Sequence, residues 1–142
     1  MQELIRLEIP INAPAANIWT ALTDPTSIGK WMLDSPVEIL TEWRLGGRIS
    51  ERGDLHGLPF ENRGEIVRFE PGTALAYTHW STLSEIADVP ENYSFLLFEI
   101  QNTDKPPKLM LTIDNLPTFA VRKHLEFYWK MALYLLKEVA EN

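Results

Sequence analysis

The stretch Ala13-Pro14-Ala15-Ala16-Asn17-Ile18-Trp19-Thr20-Ala21-Leu22-Thr23-Asp24-Pro25, running on to Ile28 and Trp31, decides how the chain folds. Pro14 suits the first turn of a helix, where its missing N–H costs nothing. Ile18 and Leu22 then fall on one face at helical spacing, with Trp19 beside them. Asp24-Pro25 repeats the device, with Asp24 as candidate N-cap and Pro25 at the first helical position. Ile28 and Trp31 supply the apolar face of this second, shorter helix. An alternating strand leads into the pair: Ile5, Leu7, Ile9 and Ile11 point one way, and Leu4, Arg6, Glu8 and Pro10 the other. Pro10 marks an edge or an end of that strand.

Beyond the two helices the chain reads as a run of strands. Residues 37–40 form a short one, and Gly46-Gly47 turns into residues 48–51. Residues 53–60 are rich in breakers and predict a hairpin tip. Residues 63–70 and 74–81 are strands joined by Pro71-Gly72. On the second of these Leu75, Tyr77 and His79 share a face, with Ala76, Thr78 and Trp80 opposite. A loop over 82–92 precedes strands at 93–101 and 108–114, which a polar turn over 102–107 connects. Residues 121–140 are the longest helical segment. Leu125, Tyr128, Trp129, Ala132, Leu136 and Val139 form its main stripe, which Phe127, Met131, Tyr134 and Leu135 widen. Runs of strands with segregated helices indicate a single α+β domain over residues 1–142.

At 142 residues the chain is large enough to bury a core without disulfides or metal staples, and it has no cysteine to supply either. The formal net charge of −7 opposes nucleic-acid binding, which needs a basic face to displace phosphate counterions. No basic segment followed by an apolar run opens the sequence, and no stretch has the length of a membrane span. These features predict a soluble cytoplasmic protein.

Catalytic patterns are scarce. There is no Gly-x-Ser-x-Gly elbow, no phosphate-cradling glycine loop and no His-Glu-x-x-His helix. His56, His79 and His124 share no metal-ligand spacing, so neither a metal nor a cofactor is expected. His79 is either a general base beside Tyr77 or a strand histidine satisfied by a neighbour. Arg63 and Glu65 lie on one side of their strand, either orienting a polar ligand head inside or forming a surface pair outside. The aromatic residues, five Trp, four Tyr and six Phe, either fill the core or line a pocket.

Taken in order, several stretches resemble one family. They are the opening strand with Ala13-Pro14 and Ala21-Leu22-Thr23-Asp24-Pro25, then Leu45-Gly46-Gly47-Arg48, Gly64-Glu65-Ile66, Phe69-Glu70-Pro71 and Leu75-Ala76-Tyr77-Thr78-His79-Trp80, and the helix containing Trp129, Leu133, Leu136 and Lys137. Together they are similar to the START-like (SRPBCC) superfamily, in the branch of homologues of the heat-shock ATPase activator. The resemblance implies a helix-grip fold: a curved antiparallel sheet wrapped on the long C-terminal helix, with two short helices after the first strand and a cavity between sheet and helix. It implies a pocket for a small hydrophobic or amphipathic molecule, such as a lipid, with Trp31, Arg63, Tyr77, His79, Phe95, Phe127, Tyr128 and Met131 as ligand-binding residues. Two other activities are compatible with the resemblance. One is a protein-interaction module acting on a chaperone ATPase; the other is a polyketide cyclase-like enzyme using His79, Tyr77 and Arg63. A homodimer is also expected, through an outer surface that includes Trp80, since a large aromatic is uncommon on an outer sheet face without a partner; the alternative is that the loop over 82–92 folds back and covers it within the monomer.

Overall fold

Strand β1 (Ile5–Pro10) and helices α1 (Ala15–Thr23) and α2 (Pro25–Trp31) form where the opening stretch places them in the computed structural model. The model describes residues 2–103 and 105–142; Asp104, in the expected polar turn, lies outside the described residues. Asp24 caps α2 as its sequence position predicts, its carboxylate accepting from the Ser27 backbone N–H at 3.0 Å. The Trp31 indole N–H donates to the Ala21 carbonyl at 2.8 Å and ties α2 back onto α1. Ile18, Ala21, Leu22, Ile28 and Trp31 are buried, so both short helices turn their apolar faces into the same core.

Six further strands follow: β2 (Val37–Thr41), β3 (Arg48–Leu55), β4 (Leu58–Glu70), β5 (Ala74–Ser81), β6 (Ser94–Gln101) and β7 (Lys108–Asp114). Among the described residues these strands and β1 form one seven-stranded sheet in the order β1-β7-β6-β5-β4-β3-β2, antiparallel throughout. The first two strands in sequence therefore lie at opposite edges, and α1 and α2 span the distance between them. The hairpin tip is tighter than the breakers over 53–60 suggest. Leu55 pairs with Leu58, and the turn is only His56-Gly57, both at positive φ (52° and 91°). Two central residues at positive φ match the right-handed strand twist, so pairing continues to the end of the hairpin.

The long helix α3 (Phe119–Glu141) begins two residues before the expected start, because the Thr118 hydroxyl caps the Val121 N–H at 3.1 Å. Its residues Leu125, Trp129, Ala132, Leu133, Leu136 and Ala140 are buried where α3 packs on the sheet and on the two short helices. The inner face of the sheet is built by alternation: Ile5 on β1, Ile49 on β3, Ile66 on β4, Leu75 and Tyr77 on β5, Leu96 and Phe98 on β6, and Leu109, Leu111 and Ile113 on β7. Phe98 meets Trp129 edge to face at 5.2 Å, and Trp31 meets it from α2 at 5.7 Å. These contacts join sheet, long helix and short helices in one core. The result is the α+β helix-grip arrangement. None of the helices described is long and apolar enough to cross a membrane.

Candidate functional site

Toward one end of the inner face the alternating positions stop being purely apolar. Register sets Glu51 on β3 opposite Asn62 on β4, and Asn62 opposite Ser81 on β5. A polar row thus crosses three strands, with Tyr77 and His79 next to it on β5. The first half of α3 passes over this row without filling the space. The gap is a cleft with two adjoining compartments that share His79, Ser81, Leu83, His124 and Leu125. The inner compartment, about 140 Å³, reaches Glu51, Asn62, Tyr77, Tyr128 and Trp129. The outer one, about 260 Å³, lies beneath the loop over 82–92 and the first turns of α3.

The electrostatics of the inner compartment are unusual. Glu51 is only 6% exposed, and its carboxylate accepts one hydrogen bond, from Asn62 Nδ2 at 3.1 Å. Burial pushes its pKa up from 4.5 to about 7, against the opposing pull of the Asn62 hydrogen bond. Burial also lowers His79 to about 4, helped by the nearby His124, so the imidazole is neutral at physiological pH. The Tyr77 and Tyr128 phenols are driven well upward, first by burial and then by the Glu51 charge. Tyr128 donates to the Met32 carbonyl at 2.7 Å, fixing α3 to the end of α2. Chemically, the compartment offers apolar walls, a neutral imidazole and a single buried acid.

Of the residues expected to line a cavity, Tyr77, His79 and Tyr128 surround this cleft. The other five lie elsewhere. Trp31 is packed into the core, beside a void of about 10 Å³. Phe95 alternates with the buried Ser94 and Leu96 and therefore faces outward from β6. Phe127 and Met131 are 75% and 58% exposed, because each lies two positions from a buried α3 residue and so roughly half a turn away. Arg63 is on the outer face of β4, one residue out of phase with Asn62, and bridges Glu61 at 2.7 Å and Asp88 at 2.8 Å. The trio of His79, Tyr77 and Arg63 consequently never meets, since the sheet separates Arg63 from the other two. Glu51 and Asn62 were not apparent from sequence motifs. Their signal was phase alone: Glu51 shares the inward face of β3 with Ile49.

The outer face of the sheet carries a more open groove of about 410 Å³ around Arg48, Arg52, Glu61 and Arg63. Arg52 and Arg63 there both pair with Glu61, at 2.9 and 2.7 Å, so ion pairs line this groove, whereas among the described residues no Lys or Arg lines the cleft under α3. Trp80 lies on this face as expected but is not bare. Its indole N–H donates to the Ile86 carbonyl at 3.1 Å, Tyr93 stacks on it at 6.3 Å, and the Arg63 guanidinium sits 5.6 Å from its ring centre. The chain's own loop covers the aromatic that was expected to need a partner.

Comparison with known proteins agrees with this architecture. A family model described as activator of Hsp90 ATPase homolog 1-like protein matches residues 12–141. A protein of Cytophaga hutchinsonii, known from its solution structure, is 31% identical, with a TM-score of 0.82 over 100% of this chain and 96% of that one. A crystal structure from Chromobacterium violaceum shares the fold at 18% identity, with a TM-score of 0.85 over 100% and 99% of the two chains. The solution structure of the Aha1 dimer from Colwellia psychrerythraea is similar at 19% identity, with a TM-score of 0.76 over 99% and 97%. None of the curated proteins matches the chain.

Proposed function

The chain belongs to the family of activator of Hsp90 ATPase homolog 1-like proteins, and from the cleft it carries we propose that it binds a small amphipathic molecule between sheet and long helix. The observation that supports this most is the unfilled space beside the Glu51–Asn62–Ser81 row, where Leu125, Tyr128 and Trp129 of α3 form an apolar roof. A dry apolar cavity of roughly 150 Å³ holds a benzene-sized molecule, so the inner compartment suits a single ring. The outer compartment leaves room for a substituent or tail. The protein acts by binding; Tyr77 and His79 contribute shape and polarity. A cytoplasmic setting belongs to this reading. Native mass spectrometry of gently purified protein, followed by a screen of neutral, cationic and anionic aromatic and lipid probes, tests it. A retained or added ligand that is lost on Leu125→Trp, which fills the shared wall, is the expected outcome. Binding unaffected by that substitution would place the ligand elsewhere.

The family's description favours a second activity, action on a chaperone ATPase, through a surface other than the cleft. Self-association belongs with it. One solved structure of similar fold is a dimer by its own description, and here Phe127, Met131 and Tyr134 leave an apolar strip along the outer side of α3, at 75%, 58% and 57% exposure. The proposed interface is thus α3 instead of Trp80. Sedimentation at micromolar concentration should show a dimer that Met131→Glu dissociates. A wild-type monomer across that range would remove the proposal. A chaperone ATPase rate unchanged at saturating protein would remove the activator role.

A further inference from the structure

The wall of the inner compartment contains a buried acid that accepts a single hydrogen bond from the protein. Glu51 is more than nine-tenths buried, and only Asn62 Nδ2 donates to it, through Oε1. Among the described residues no donor meets Oε2 and no Lys or Arg lines either compartment. The next acid along the cleft is Glu85, in the outer compartment, which adds to the negative field. A buried carboxylate without a counter-charge is costly: Glu51 meets that cost by holding its proton to about pH 7, and a cation beside it would remove the cost with the group ionised. No cation of the protein does so: Asn62 gives the one hydrogen bond, and among the described residues no Lys or Arg lines the voids beside Glu51. Space for a partner larger than a water lies on the cleft side, since the other void that Glu51 borders, beside Trp43 and Leu75, holds only about 10 Å³.

Resting on the reading of this cleft as a binding site, we infer that its ligand carries a protonated amine, which pairs with Glu51 while the apolar body packs against Leu125 and Trp129. The chemistry discriminates among amphipathic classes. A ligand carboxylate, as in a fatty acid, would meet Glu51 and Glu85 with no cation to neutralise it. A neutral hydroxyl could donate one hydrogen bond but would leave the charge uncompensated. An ammonium supplies both donor and charge. Tyr77 and Tyr128 line the same compartment and add π-rich surroundings that attract a cation. The net charge of −7 would draw such a ligand in.

Four matched probes test the inference at pH 8, by calorimetry and by Trp fluorescence: 2-phenylethylamine, 2-phenylethanol, 3-phenylpropionate and propylbenzene. The amine should bind about tenfold or more tighter than the alcohol and the carboxylate, the size of one hydrogen bond between charged groups. In Glu51→Gln that advantage should vanish, while the affinities of the alcohol and propylbenzene stay within about threefold. If propylbenzene and the alcohol bind but the amine gains nothing, or Glu51→Gln leaves its advantage intact, the cleft is a binding site and the amine inference is wrong. If none of the four binds, both the cleft reading and the inference fall. The comparison on wild-type protein needs no variant, so it holds even if the substitution disturbs folding.

Discussion

At the scale of single residues, Glu51 and Gly64 carry the sharpest consequences. The folded carboxyl of Glu51 keeps its proton to about pH 7, whereas an ordinary one releases it at 4.5. Between these values the folded chain binds more protons than the unfolded chain, so this group's contribution to stability falls as pH rises and is level above 7. The groups facing it are Asn62 from β4, Tyr77 from β5 and Tyr128 from α3; the tyrosines stay protonated throughout the window. Glu51→Gln removes the burial penalty, and its stability relative to wild type should grow across the window, by on the order of 3 kcal/mol at most. Denaturant titrations at pH 5 and pH 8 measure this. Parallel behaviour of the two proteins would mean that Glu51 is solvated in solution. Gly64 acts through shape. A Cβ built there would sit 1.7 Å from the Thr78 carbonyl oxygen, a backbone atom of the adjoining strand that cannot swing aside. Gly64→Ala should therefore cost about 2 kcal/mol or more. A loss under about 0.5 kcal/mol, typical of an innocuous surface change, would show that β4 and β5 are further apart than described.

At the scale of elements, α3 shows what periodicity reveals and what it leaves open. Its stripe of Leu125, Trp129, Ala132 and Leu136 was readable from spacing and is buried. The widening residues Phe127, Met131, Tyr134 and Leu135 are as apolar, yet they are exposed. Hydrophobicity alone could not separate them, because nothing in the sequence says how much of the helix circumference the sheet can cover. Trp129 touches Trp31, Phe98 and Tyr128 at ring distances of 5.7, 5.2 and 5.1 Å. Trp129→Ala should lose roughly 3–5 kcal/mol in chemical denaturation, whereas Phe127→Ala should stay within about 0.5 kcal/mol of wild type. A large loss at Phe127 at concentrations where the protein is monomeric would show that the outer side of α3 is covered within one chain. The strands were legible by the same local means. Alternation fixed which residues of β5 share a face, and Asp24-Pro25 fixed the start of α2, because capping and pleat depend only on neighbours in sequence.

At the scale of the whole molecule, the site was legible only in part, and for a physical reason. A cavity exists where two elements far apart in sequence fail to fill the space between them, and no local pattern records that. Tyr77 and His79 were found because they share a strand face, whereas Tyr128 was expected only from the resemblance, whose fold arranges its aromatics around a cavity. Glu51 and Asn62 come together through cross-strand register, while Arg63, one residue along, is carried to the opposite face. The same register places the polar row beneath α3 and the ion pairs of Arg52 and Arg63 outside. Whether a ligand enters between row and helix is best measured by following backbone amide chemical shifts while 2-phenylethylamine is titrated into the wild-type protein. Shifts concentrated at Glu51, Asn62, Tyr77 to Ser81 and His124 to Trp129 are the expected result; shifts confined to the exposed side of α3 around Phe127 and Met131, or none at saturation, would contradict binding in the cleft.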